Sequence, residues 1–145
     1  MAVRVRLSLT PRIPAPAPVP DIIALVNTGY TAGRRELIIP QALALRLRWF
    51  PPSGAAIVET YDSPAGPFQI HRLPDAVDVA VVGADRNGPT TSADAIIVAH
   101  EVEVLLSDAL VGPLGLALID ATAGEWAFRD ELQVVRPSEP AQLWT

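Results

Sequence analysis

Asn27, Thr28 and Gly29 stand between two short apolar runs, residues 21–26 and Leu37, Ile38 and Ile39. An amide, a hydroxyl and a glycine leaving a strand can make a tight turn. Asparagine tolerates turn conformations and bonds its own backbone, and glycine accepts positive φ. The triplet alone reads as a turn, but its place between two strands makes Asn27 a candidate site residue. Other groupings fit known chemistry less well. Ser63, Ser92 and Ser107 lack the glycine-flanked elbow of a serine nucleophile. His100, Glu101, Val102 and Glu103 suggest a metal, but on a strand His100 and Val102 face away from Glu101 and Glu103, so the ligands are split. His71 reads as exposed or hydrogen-bonded beside a hairpin. Residues 83–88 lack the lysine and following helix of a phosphate loop and read as a hairpin turn. Arg34, Arg35, Arg46 and Arg48 make a local basic cluster, solvated by default and able to meet an acidic peptide. Cysteine is absent, which excludes a thiol nucleophile, a disulfide framework and a cysteine zinc site. No metal and no cofactor are expected.

The chain has 145 residues, enough for one domain and one core. It is 50% hydrophobic and 19% charged, which excludes intrinsic disorder and hints at a buried partner surface. Asp and Glu number 16 against 11 Arg, with no Lys, and the net charge of −5 disfavours nucleic acid as a partner. The longest apolar stretch, residues 104–119, is interrupted by Ser107, Asp108, Gly112, Pro113 and Gly115, so no membrane span is expected. The N-terminus alternates arginine with apolar residues and has no signal-peptide core, so the expected location is cytoplasmic. Fifteen prolines with few thermolabile residues fit a thermophile, whereas the absence of lysine fits a GC-rich genome.

These residues must be held by short elements. Residues 3–9 alternate as a half-buried strand. The prolines of residues 11–20 predict a stiff connector outside any sheet ladder; its alternative role is as a ligand for a proline-binding module. Residues 21–26 and 37–39 read as strands. Residues 40–49 lack β-branched side chains and begin with proline, which predicts a short helix. Residues 56–61 and 67–73 flank Asp62, Ser63, Pro64, Ala65 and Gly66 as a hairpin with a mobile tip, and residues 76–82 and 93–99 flank a turn at Asn87 and Gly88. Residues 102–106 read as a buried strand. Ser107 and Asp108 cap a short helical turn ended by Gly112 and Pro113, and residues 116–119 and 125–128 form a last hairpin around Thr122, Ala123 and Gly124. A tail, residues 131–145, follows. No repeat is visible. The pattern predicts an all-β fold, a small closed barrel with one or two short helices.

Several segments together resemble a known family. Ala24, Leu25, Val26, Asn27, Thr28, Gly29 and Tyr30 are followed by Leu37, Ile38, Ile39, Pro40 and the helix from Gln41 to Leu47. Later come Val104, Leu105, Leu106, Ser107, Asp108, Ala109 and Leu110, then the closing hairpin of Leu116 to Asp120 and Glu125 to Phe128. Over residues 20–130 this order resembles a retropepsin-like aspartic protease domain. The resemblance implies a barrel of the acid-protease type, a homodimer, and a cleft for extended peptide. Asn27, Thr28 and Gly29 fall at the catalytic position. Tyr30, Asp62, Ser63, Pro64, Ala65, Gly66 and Ser107 fall at substrate-binding positions, with residues 62–66 as a flap. Two departures stand out: Asn27 occupies the place of the catalytic aspartate, and Ser107 that of a glycine. The family's chemistry shares one proton between two carboxylates, one of which must be ionised to take a proton from water. An amide has no such basic state, so the fold is expected without standard peptidase activity. Two other readings stand beside a non-catalytic peptide holder: an altered hydrolase using a carboxylate such as Asp21 or Asp120, and a purely structural β-barrel dimer. Residues 2–9 and 137–144 are candidates for dimer contacts.

Overall fold

In the computed structural model, residues 2–13, 19–26, 33–50, 56–64 and 66–145 are described, with the backbone alone for Tyr61, Asp62 and Ser63. The clean alternation at the N-terminus becomes β1 (Arg4–Pro11), in which Val5, Leu7 and Leu9 turn inward and are 0%, 0% and 4% exposed. It is followed by β2 (Ile22–Val26), β3 (Glu36–Pro40), α1 (Gln41–Arg46), β4 (Ile57–Ser63), β5 (Gly66–Val82), β6 (Thr91–Val98) and β7 (Val104–Leu106). Then come α2 (Asp108–Val111), β8 (Leu116–Asp120), β9 (Glu125–Phe128) and β10 (Arg136–Pro137). The first sheet runs β1-β2-β7-β3-β6-β5, and β5 pairs back to β1, so six strands close into a barrel. This is the all-β small barrel with two short helices that the strand pattern predicts. β4 continues beyond β5 as an edge. No helix among the described residues is long and apolar enough to cross a membrane.

The barrel is filled from every wall: Val26 from β2, Leu37 and Ile39 from β3, Val77, Val79 and Val81 from β5, Ala95 and Ile97 from β6, Val104 and Leu106 from β7. Burying each larger side chain stabilises the fold by about 1.5–3 kcal/mol relative to exposure. A second apolar cluster, Ile70, Ile96 and Val98 with Ile38 and Phe68 packed against it, alternates with the first along β3, β5 and β6 and so lies on the opposite face of those strands. Pro40 ends β3 opposite Val98 and starts α1. Leu43 is buried, Leu47 half-buried and Leu45 exposed, the helical rather than the strand period.

Several expectations are corrected. Pro11 does join the ladder, opposite Val77 at the last position of β1, where a missing N–H costs little. The strands read as 67–73 and 76–82 are one strand, β5, with a register shift between Leu73 and Val77 that Asp75 accommodates at φ 52°. The hairpin turn read at residues 83–88 is present, but it closes at residues 84–85 and not at Asn87 and Gly88, the strongest local turn signal within it. The Gly83 N–H donates to the Arg86 carbonyl at 2.8 Å, and Asn87 pairs back to Val82. Gly88 serves packing instead: a Cβ there would stand 2.8 Å from Phe128 Cε1. His100 to Glu103 precede β7 and form no strand, and Glu103 is taken by Arg4 at 2.9 Å. The four arginines read as one cluster are separated by the length of β3, with Arg34 and Arg35 before it, Arg46 at the end of α1 and Arg48 just beyond.

The second sheet, β10-β9-β8, buries Trp126 and Phe128 against the barrel core. Arg86 and Arg136 lie over the Phe128 ring at 4.4 and 5.0 Å, and reach Asp130 at 2.9 Å and Asp85 at 2.6 Å respectively. The tail then crosses the barrel. The Arg4 N–H donates to Ser138 Oγ at 2.7 Å, the Ile23 N–H to Gln142 Oε1 at 2.9 Å, and the Trp144 N–H to the Val102 carbonyl at 2.7 Å. Residues 4–9 and 137–144 thus make contacts within one chain.

Hydrogen bonds from Arg136 and Arg86 hold the Asp85 and Asp130 carboxyls below their ordinary value of 3.8. A carboxyl with a depressed folded-state pKa stabilises above its unfolded value and loses that contribution as pH falls through the folded one. Asp130→Asn is therefore expected to lose less melting temperature than the parent between about pH 4 and about pH 2. Both carboxylates are exposed, so the difference is small and salt-sensitive. Melts across that range at low and high salt check it.

Candidate functional site

β2 and β7 run parallel, with Val26 opposite Leu106, and Leu106 also opposes Leu37 of antiparallel β3. The chain therefore leaves β2 into Asn27 and leaves β7 into Ser107 at one end of the barrel, where β3 begins. Parallel strands cannot be joined by a tight turn. This neighbourhood exists only because the short strand β7 returns to lie between β2 and β3. Asn27, Thr28, Gly29 and Tyr30 themselves lie outside the described residues, as does Ala65.

Ser107 is fully buried. It precedes α2, but its hydroxyl makes no cap bond. Instead Oγ accepts from the Glu36 N–H at 3.1 Å and donates to the Arg34 carbonyl at 2.9 Å, while the Ser107 N–H donates to the Glu36 carbonyl at 3.0 Å. The side chain fastens the end of β7 to the start of β3. Ser107→Ala would leave a buried N–H and a carbonyl short of a partner, at a cost of about 1–3 kcal/mol. Ser107→Gly is expected to cost at least as much, although glycine is what the family resemblance puts there. Urea unfolding of both variants checks this.

The hairpin of β4 and β5 is tighter than its sequence suggests. Asp62 pairs with Pro67 and Ser63 with Gly66, so both Asp62 and Ser63 belong to the strand. Pro64 is exposed, and Gly66 sits at φ 111°, a conformation that favours glycine.

The carboxylates fall as follows. Asp21 precedes β2, so it starts a strand length, roughly 16 Å, from the Val26 end. Asp120 accepts from the Ala123 N–H at 3.0 Å in the β8–β9 turn. Asp108 opens α2 beside Ser107, where a negative charge suits the first turn. Glu36, Asp94 and Glu59 converge on Arg72. Arg72 Nη1 donates to Glu36 at 2.5 Å and Asp94 at 3.1 Å, and Nε to Glu59 at 2.8 Å. The side chains of Arg72 and Glu36 are 4% and 2% exposed. Burial works against the guanidinium charge, but the bonds to Glu59, Glu36 and Asp94 outweigh it and raise the Arg72 pKa, making it a permanent cation. Sequence reading missed this group. The available signal was Glu36 ahead of Leu37, Ile38 and Ile39, and Arg72 between Ile70 and Leu73: charges at strand positions that must be paired once buried. Among the described residues no three His, Asp or Glu side chains are disposed to hold a metal.

Among the described residues, the chemistry at this end of the barrel combines the buried Ser107 hydroxyl that follows β7, carboxylates held by Arg72, and two exposed arginines, Arg34 and Arg35. No protein-family model matches the chain, and no curated protein matches it either.

Proposed function

We propose that the chain is a retropepsin-like barrel in which Asn27 replaces the catalytic carboxylate. Two copies pair about a two-fold axis and hold an extended peptide without cleaving it. The observation that carries this reading is the parallel pairing of β2 with β7, Val26 against Leu106, inside a closed barrel. It ends β2 at Val26 beside the end of β7 at Leu106, the strand order that the family resemblance implies. The β4–β5 hairpin gives further support. β4 is an edge with β5 as its sheet neighbour, so an extended guest can add strand-type hydrogen bonds there. Two asparagine side chains facing across an axis satisfy one another as donor and acceptor, carry no charge, and supply no base.

An isologous two-fold pair is the commonest symmetric assembly. Light scattering at tens of micromolar protein, on the scale of ordinary assembly assays, is expected to give twice the chain mass of 15.4 kDa. A mass of one chain at that concentration contradicts the pairing.

A further inference from the structure

We infer that Arg34 and Arg35 read a carboxylate on the bound peptide, so that the site prefers extended peptides carrying Asp or Glu; this rests on the peptide-holding reading above. Both arginines are exposed and sit immediately before β3, at the barrel end into which β2 and β7 open. Their backbone is fixed from behind, because the buried Ser107 hydroxyl donates to the Arg34 carbonyl and the Asp94 N–H donates to the Arg35 carbonyl at 3.0 Å. The Arg35 side chain is also oriented: Nη1 donates to the buried Thr91 hydroxyl at 3.0 Å, and among the described residues its other N–H groups have no partner, which leaves them for a ligand.

Neither guanidinium has a carboxylate within 4.0 Å among the described residues, in a chain with 16 acidic residues to 11 basic. The reason is visible next door. Glu36 and Asp94, the nearest carboxylates along β3 and β6, are turned to Arg72, and the second Asp94 oxygen accepts from the Asp75 N–H at 2.7 Å. Among the described residues Arg4, Arg6, Arg12, Arg72, Arg86 and Arg136 pair with acids, whereas Arg46, Arg48 and Arg129, like Arg34 and Arg35, do not. Two adjacent arginines left unneutralised and held in place at the candidate site suit a charge-assisted bond to a guest carboxylate.

The test is a selection of short random peptides on the full chain, repeated with Arg34→Gln/Arg35→Gln. The parent should enrich Asp or Glu at a fixed peptide position. The double variant, with an unchanged circular dichroism melt, should lose that enrichment and bind the selected acidic peptide about tenfold more weakly. Replacing the peptide's acid by its amide should weaken binding to the parent and leave binding to the variant unchanged, and added salt should weaken only the acidic pair. Binders without acidic enrichment would overturn the arginine role and leave peptide holding intact. The absence of any binder above background would overturn both.

Discussion

Arg72→Leu is expected to cost the fold about 3–5 kcal/mol, the largest loss of any single charged side chain in the molecule. The guanidinium bridges three strands at once, meeting Glu36 of β3, Asp94 of β6 and Glu59 of β4 from its place on β5. Glu36 is 1% exposed, so water cannot replace the lost cation. The pair itself contributes less than the loss suggests, because two ions were desolvated to form it. The double substitution Arg72→Leu/Glu36→Leu should therefore regain most of the stability, since Ile38, Ile70 and Ile96 offer an apolar surface on the same strands. Arg72→Lys should rescue poorly, because one ammonium cannot reproduce the planar fork that gives Nε to Glu59 and Nη1 to Glu36 and Asp94. Urea unfolding of the three variants checks the order. A single variant as stable as the parent would show that the network does not tie the strands together.

Much of the barrel is legible where one physical rule governs a segment. β1 alternates because one face is buried, and α1 begins at Pro40 because proline fits a first turn and stops a strand. The elements that escaped are those where tertiary contacts decide between local options. Asn87 and Gly88 carry the stronger local turn signal. Gly88 is needed for the close approach of Phe128, however, and the chain turns three residues earlier. Ser107 has the sequence of a helix cap, but its hydroxyl meets Glu36 and Arg34, more than seventy residues away in the chain. The link between Arg72 and Glu36 was hidden for the same reason: only the order of β3, β6 and β5 in the sheet brings them within reach. The position of Asn27 after an apolar strand was legible. That β7 would end beside Val26 follows from a parallel pairing that no local pattern encodes.

Asn27 carries the central claim, and Asn27→Asp is the second substitution with a large expected effect. If two copies of residue 27 face across an axis, the wild-type site is two neutral amides and its stability is indifferent to their titration. The variant places two carboxylates together, and like charges that close cannot both ionise, so one folded-state pKa rises. A raised folded-state pKa means that full stability is kept below the unfolded value and lost as pH climbs through the folded one. The direct measurement is a series of thermal melts of the parent and Asn27→Asp from acid to neutral pH. The variant should match the parent in acid and fall progressively below it toward neutrality, with the dimer dissociating more readily over the same range. Parallel profiles throughout would mean that Asn27 is a turn residue remote from its symmetry mate, and would contradict the paired-site account.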